Sequence, residues 1–142
     1  MSVVHLRKEL TGPPVAVEAP GVVVRFMRVP EDVPAWLALR ERAVAELSPS
    51  PRPWLHEDYA AEMFDRPWWH AERNWLAIVA DGHRVDDVIG AVTLAIRESA
   101  TARVPVVHWL LVDPAWQRRG VGRLLLSTLE RAALDAGHRE VQ

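Results

Sequence analysis

Residues 117–122 read Gln-Arg-Arg-Gly-Val-Gly, and this glycine-rich stretch decides how the chain around it folds. Before it, residues 106–112 form a β-branched and aromatic run that predicts a strand, closed by Asp113-Pro114. After it, apolar residues recur at helical spacing as far as Ala136, and Gly137 supplies a stop. The order is strand, glycine loop, helix. Free N–H groups at such a helix start bind a phosphate, and glycines let the phosphate approach the backbone closely.

Two common phosphate-binding motifs do not fit this loop. A dinucleotide-binding fingerprint needs a third glycine where Leu125 stands, and a P-loop needs lysine where Arg123 follows the second glycine. The pattern Gln-x-x-Gly-x-Gly, placed after a strand that ends Leu-x-Val-x-Pro, resembles motif A of the GCN5-related N-acetyltransferases (GNATs). The resemblance implies that the loop binds the pyrophosphate of acetyl-coenzyme A (acetyl-CoA).

The same resemblance implies a set of cofactor-binding positions. In the family the strand before the loop splays from its neighbour at a bulge, so that its backbone groups pair with the pantetheine arm and polarise the thioester carbonyl. The strand and loop positions carried over to this chain are Leu110, Leu111, Val112, Gln117, Arg118, Arg119, Gly120, Val121 and Gly122.

Size and composition narrow the class of protein. The chain has 142 residues, 49% hydrophobic and 25% charged, which suits one globular domain. With no cysteine it has no disulfide, no thiolate metal site and no acyl-cysteine intermediate. A formal net charge of −2 and a patch of only three arginines beside the loop argue against a nucleic-acid partner. No apolar run predicts a signal peptide or a membrane span, so we expect a cytoplasmic protein.

The sequence as a whole predicts the order strand, helix, helix, strand, strand, strand, helix, strand. Residues 1–21, rich in glycine and proline, form an N-terminal arm in which residues 3–6 read as a short extra strand. A stiff proline connector is expected at residues 48–53. The predicted strands are 22–28, 75–80, 88–96, 104–112 and one from 138 onward. The predicted helices are one that follows residues 30–32 and runs to about residue 47, one at 55–64 and one at about 120–136.

This order is similar to that of the GNAT fold and implies an α/β (α+β) domain over residues 22–142. We expect a mixed, mostly antiparallel sheet with helices on both faces. The family usually continues with a further helix and a strand hairpin, so the resemblance implies a domain cut before that part. The far edge of the sheet would then be open unless a second copy covers it in a homodimer.

Amine acetylation needs a base for the amine, a polarised carbonyl and an acid for the departing sulfur. Many relatives carry a glutamate where His108 stands, which makes His108 a candidate base, although a lone strand histidine is more often a packing residue. Glu57 and Asp58, in the first turn of the predicted second helix, are weaker candidates. The acid is unassigned because the only tyrosine, Tyr59, lies in the wrong region.

The chain has seven tryptophans, four of them around the proline connector and the second helix. These four either wall an acceptor pocket or fill the core, and core filling is the commoner role of a large indole. The four are Trp54, Trp68, Trp69 and Trp75.

The sequence thus predicts an enzyme that moves an acetyl group from acetyl-CoA to an amine by direct attack in a ternary complex, without a metal. The acceptor would be a small molecule or a peptide. A non-catalytic acyl-CoA-binding or regulatory module is the alternative, and turnover distinguishes the two.

Overall fold

The computed structural model describes residues 8–10 and 18–142. Within these residues there are three α-helices and six strands, with a π-helical turn at Ala60–Phe64 and 3-10 turns at Ala71–Arg73, Val85–Asp87 and Pro114–Trp116. The strands are β1 (Lys8–Glu9), β2 (Val22–Phe26), β3 (Asn74–Val79), β4 (Val88–Glu98), β5 (Arg103–Val112) and β6 (Glu140–Val141). The helices are α1 (Val33–Val44), α2 (His56–Tyr59) and α3 (Val121–Asp135).

The central sheet has the order β2-β3-β4-β5, and all its neighbouring strands are antiparallel. Next to β5, Gln142 accepts a hydrogen bond from the Val107 N–H (2.8 Å) and donates its own N–H to the Pro105 carbonyl (2.9 Å). When one residue bonds to the two neighbours of a residue on the next strand, the two strands run parallel at that point. This bridge places the chain after α3 beside β5 and parallel to it, whereas the four-stranded sheet itself is antiparallel throughout and not mixed as predicted.

The two faces of the sheet carry two separate cores. Along β3, Trp75 and Ala77 join the cluster under α3, whereas Leu76 and Ile78 join the cluster under α1 and α2. This is the period-two alternation of a strand buried on both sides. The predicted α+β architecture with helices on both faces is confirmed.

The predicted element boundaries differ from the structure by a few residues. The first main strand ends at Phe26 rather than at residue 28, and the first helix ends at Val44 rather than near residue 47. The predicted second helix is split into α2 and the π-helical turn, where the Asp65 N–H bonds back to the Ala60 carbonyl (2.8 Å). The extra strand predicted at residues 3–6 lies outside the described residues.

The sequence predicts an open edge unless another segment covers it. In the structure β1 covers β6, with which it pairs antiparallel. Lys8 lies opposite Val141 in this pair, and its ammonium contacts the Glu130 carboxylate of α3 at 2.6 Å. The next residue but one, Leu10, is buried in the core under α3. The described part of the arm thus packs onto the domain and does not hang free of it.

Candidate functional site

A groove of about 700 Å³ runs beside the end of β5 and the start of α3. It takes its walls from the end of α1, from β5 and from the loop that follows β5. The residues that line it are Ala43, Val44, Trp109, Leu110, Leu111, Val112, Trp116, Gln117, Arg118, Gly120, Val121, Gly122 and Arg123. Eight of the nine positions carried over by resemblance therefore lie together on one surface, and Arg119 is the exception.

The glycine loop ends in the N-terminus of α3. Gly120 is the N-cap residue, with φ +83°, a backbone conformation that favours glycine. The first N–H groups of a helix have no partner within it, so those of Val121 and Gly122 are available to an anion at the groove. A Cβ built on Gly122 would lie 3.7 Å from the Val112 Cγ2 atom, which shows how closely the loop abuts the strand end.

The arginines in and after the loop have two different environments: some line the groove, and one packs against the protein. Arg118, at φ +65°, and Arg123 line the groove and are exposed. The Arg119 guanidinium instead lies 4.7 Å from the centroid of the Trp116 ring, a cation–π contact. Two positive side chains and a helix N-terminus thus face one end of the groove, a combination suited to a phosphate.

The opposite end of the groove lies at a β-bulge in β5. The register with β4 pairs Ala91 with Leu111 and then Thr93 with His108, so β5 contains one extra residue in this interval. Trp109 and Leu110 occupy the interval, and Trp109 has φ +54°. A positive φ is unusual for so bulky a residue, and it frees this edge of β5 from regular pairing with β4.

The strand end is fixed to α1 by Arg42. Its Nε donates to the Asp113 carboxylate (2.9 Å), and its terminal nitrogen donates to the Val88 carbonyl (2.8 Å). Asp113 also accepts the Ala115 N–H (2.9 Å) and thereby caps the 3-10 turn before the glycine loop. A single arginine therefore sets the position of the loop relative to the helix that forms the other wall.

His108, the candidate base, does not line the groove. Its ring packs edge-on against Trp68, with the centroids 4.7 Å apart. Burial, with smaller contributions from Arg97 and Arg66, lowers the pKa of His108 from 6.5 to about 4. The imidazole is therefore neutral at pH 7 and is a weaker base than an unperturbed histidine.

The two weaker carboxylate candidates also lie off the groove. Glu57 is exposed on α2. Asp58 makes a bidentate pair with Arg52 (2.7 and 2.9 Å) and accepts the Leu55 N–H (2.8 Å), so it caps the helix. The Arg52 pair is the main reason that the pKa of Asp58 falls to about 2. Tyr59 is buried, which raises its pKa to about 12.

The four tryptophans named above do not form one wall. Trp54 stacks on Trp36 at 5.7 Å, and Trp69 packs edge-on against Phe64 at 4.7 Å. Trp68 contacts His108, as described. Trp75 lies on the other face of the sheet, in the core under α3, and so cannot face the same pocket as the rest.

Sequence reasoning missed several groove residues. Ala43 and Val44 line the groove although they lie far from the glycine loop in the sequence, and small apolar residues on a helix carry no functional signal. Trp109 and Trp116 also line the groove, although a large indole is more often a packing residue. Arg123 could have been found, because it belongs to the arginine patch beside the loop.

Two negative findings apply to residues 8–10 and 18–142. No cluster of three histidine, cysteine, aspartate or glutamate side chains there could hold a metal ion. Along the same residues, every helix is too short or too polar to cross a bilayer.

Comparisons with known proteins place this geometry in context. The sequence model of the acetyltransferase (GNAT) family matches residues 37–142. A mycothiol acetyltransferase of Salinispora tropica is 34% identical over 123 residues, which are 85% of this chain and 38% of the relative. The chain therefore spans about two fifths of the length of the curated relatives it matches.

Solved structures share the fold. A GCN5-related N-acetyltransferase from Sphaerobacter thermophilus superposes with a TM-score of 0.74 at 22% identity, covering 95% of this chain and 39% of that one. AAC(6')-Iy, solved in complex with the bisubstrate analogue CoA-S-monomethyl-acetylneamine, superposes with a TM-score of 0.57 at 21% identity, covering 85% of this chain and 77% of that one. At these identities the likeness concerns the fold alone.

Proposed function

The chain belongs to the acetyltransferase (GNAT) family, and from that membership we propose that it transfers an acetyl group from acetyl-CoA to an amine by direct attack in a ternary complex. The observation that carries the proposal is the single groove that joins an anion-binding helix N-terminus to a bulged strand edge. A cosubstrate with a pyrophosphate at one end and a thioester at the other needs both features at once.

Different residues of the groove would bind different parts of acetyl-CoA. The N–H groups at the start of α3, with Arg118 and Arg123 nearby, would hold the pyrophosphate. The backbone of Leu110 and Leu111, beside the bulge, would orient the pantetheine arm and polarise the thioester carbonyl. The thioester supplies the activated acyl group. Because the chain has no cysteine, direct attack by the amine is the simplest route.

The proposed acceptor is a small-molecule or peptide amine. The resemblance of the glycine loop to motif A of the GCN5-related N-acetyltransferases supports an amine as the acceptor. His108 is the proposed base, although it lies outside the lining of the groove. With a pKa of about 4 it has little driving force to deprotonate an ammonium, so the amine would have to arrive neutral or lose its proton to water.

A second candidate, a non-catalytic acyl-CoA-binding module, has one observation in its favour. Among the groove-lining residues that the structure describes there is no carboxylate and no histidine, so the walls offer no side-chain base. Such a module would bind acyl-CoA without turning it over.

Isothermal titration with acetyl-CoA, with NAD as the control ligand, tests the binding site first. We expect binding of acetyl-CoA and none of NAD, because both carry a pyrophosphate and an adenine nucleotide but only acetyl-CoA carries a pantetheine arm for the bulged strand edge. Thiol release is then measured with a panel of amines. Selective binding with thiol release supports the enzyme, binding without release supports the module, and no selective binding overturns both.

Two further expectations from the sequence remain part of the proposal. The protein is proposed to act in the cytoplasm, and a homodimer is proposed as its assembly. Light scattering at several protein concentrations measures the second directly, and a mass of about 16 kDa throughout would refute it.

A further inference from the structure

Among the residues of β5 that line the groove, Trp109 is the farthest along the strand from the anion-binding loop. Val112 abuts the loop, as the 3.7 Å separation from a Cβ on Gly122 shows. Trp109 lies three residues earlier on β5, which is roughly 10 Å back along a strand. A ligand that holds its phosphates at the loop and extends along β5 therefore meets the Trp109 indole with its far end.

The indole of Trp109 is held on several sides. Its ring centroid lies 5.3 Å from that of Trp54 and 6.0 Å from that of Trp36, both edge-on. The Arg40 guanidinium lies 5.3 Å from the same ring and 4.4 Å from that of Trp54. Arg40 is itself buried, so the side chains behind the indole are packed rather than free to swing away.

The backbone of Trp109 opposes the same movement. The residue adopts φ +54° inside the bulge, a conformation that a bulky side chain rarely takes unless its surroundings hold it there. Turning the indole away from the groove would break its contacts with Trp36, Trp54 and Arg40 together. The indole is therefore a rigid stop, unlike a methionine or leucine that adapts to its ligand.

We infer that Trp109 limits the acyl group of the cosubstrate to acetyl, because its locked indole closes the groove where a longer acyl chain would have to extend. The inference rests on the proposed use of acyl-CoA and adds the acyl-chain class to it. Ala43 supports the assignment from α1: it lines the same groove one turn after Arg40, so it lies on the helix face that approaches Trp109.

The test is isothermal titration with CoA, acetyl-CoA, propionyl-CoA, butyryl-CoA and hexanoyl-CoA. It needs no acceptor, so it is independent of turnover. Wild-type protein should bind butyryl-CoA at least tenfold more weakly than acetyl-CoA. Trp109→Gly should reverse that order, because glycine suits the positive φ and two buried methylenes gain roughly tenfold in affinity when a cavity receives them. Trp109→Phe should shift the ratio in the same direction by less.

Trp116→Ala is the matched control, since Trp116 lines the groove at the loop end. It should weaken all the ligands by the same factor and leave their ratios unchanged. Ala43→Leu tests the inference without touching Trp109: filling the same end should weaken acetyl-CoA at least fivefold relative to CoA, which carries no acyl group.

Thermal unfolding establishes which variants are folded. The inference is overturned if the wild-type protein binds butyryl-CoA as tightly as acetyl-CoA. An unchanged ratio in a folded Trp109→Gly protein, or an unchanged preference in folded Ala43→Leu protein, would overturn it equally. Selective binding without thiol release from any acyl-CoA would leave the acyl limit standing and overturn only the proposed catalysis.

Discussion

Gly122→Asp separates the stability of α3 from the binding of an anion at its start. Gly122 is the second residue of the helix, and a Cβ there makes only an ordinary contact, 3.7 Å from the Val112 Cγ2 atom. Replacing a helical glycine and adding a carboxylate to the first turn both favour the helix, by about 0.5–1.5 kcal/mol together. We therefore expect the melting temperature to hold or to rise by roughly 2–5 °C.

The same carboxylate should act against the cosubstrate. Two unit charges about 4 Å apart repel by about 4 kcal/mol at an effective dielectric constant near 20. Exposure and salt reduce the repulsion to on the order of 2–3 kcal/mol, which corresponds to a roughly 30- to 150-fold loss of affinity for acetyl-CoA. Stability and affinity should thus move in opposite directions in one variant.

Isothermal titration and thermal unfolding on the same preparation give both quantities. Gly122→Asn is the matched control because it has the size of aspartate without the charge, so the difference between the two variants isolates the electrostatic effect. Equal affinities of the Asp and Asn proteins for acetyl-CoA would show that the pyrophosphate does not lie at the start of α3. The proposed orientation of the cosubstrate would then be wrong.

Three further predictions concern other parts of the site. Gly120→Ala should lower the free energy of unfolding in urea by about 1–2 kcal/mol, because Gly120 has φ +83°; an unchanged value would mean that the loop relaxes freely. The pKa of His108 is about 4 in the folded protein and 6.5 in an ordinary histidine. Between pH 4 and 6.5 the unfolded chain therefore binds a proton at His108 more readily than the folded protein does. The free energy of unfolding should accordingly fall as the pH drops from about 6.5 to about 4. His108→Gln should flatten this part of the curve in urea titrations across that range, and an equally steep curve would contradict the assigned burial. Arg42→Met should cost about 1–3 kcal/mol in the same assay through the lost hydrogen bonds to Asp113 and Val88, whereas Arg66→Met, which removes an exposed ion pair, should cost less than about 1 kcal/mol.

Much of the fold could be predicted because its signals are local. β3 and β4 are short apolar runs bounded by turn residues, and α3 carries a regular apolar stripe, so their periods are visible in any window of the sequence. The glycine loop is also local, since the geometry of a strand, a tight turn and a helix start restricts six consecutive positions. These are the parts on which sequence and structure agree.

The features that the sequence did not predict depend on contacts between distant segments. β1 consists of only Lys8–Glu9, and nothing in two polar residues indicates that they pair with β6 more than a hundred positions away. The low pKa of His108 likewise depends on burial and on the charges of Arg97 and Arg66, which lie on other segments of the chain. A strand histidine has the same appearance in a sequence whether it is buried or exposed.

The bulge at Trp109 shows how such distant contacts can decide function. A tryptophan in a β-branched run reads as an ordinary strand residue, and its intrinsic preference is for extended backbone rather than for φ +54°. Its ring contacts Trp36 and Arg40 on α1 and Trp54 after the proline connector, and these contacts help to hold it in the left-handed region. The strand edge proposed to receive the thioester is therefore shaped by residues that never touch the anion-binding loop. Changes in this aromatic cluster should accordingly alter selection among acyl groups while leaving the phosphate site unchanged.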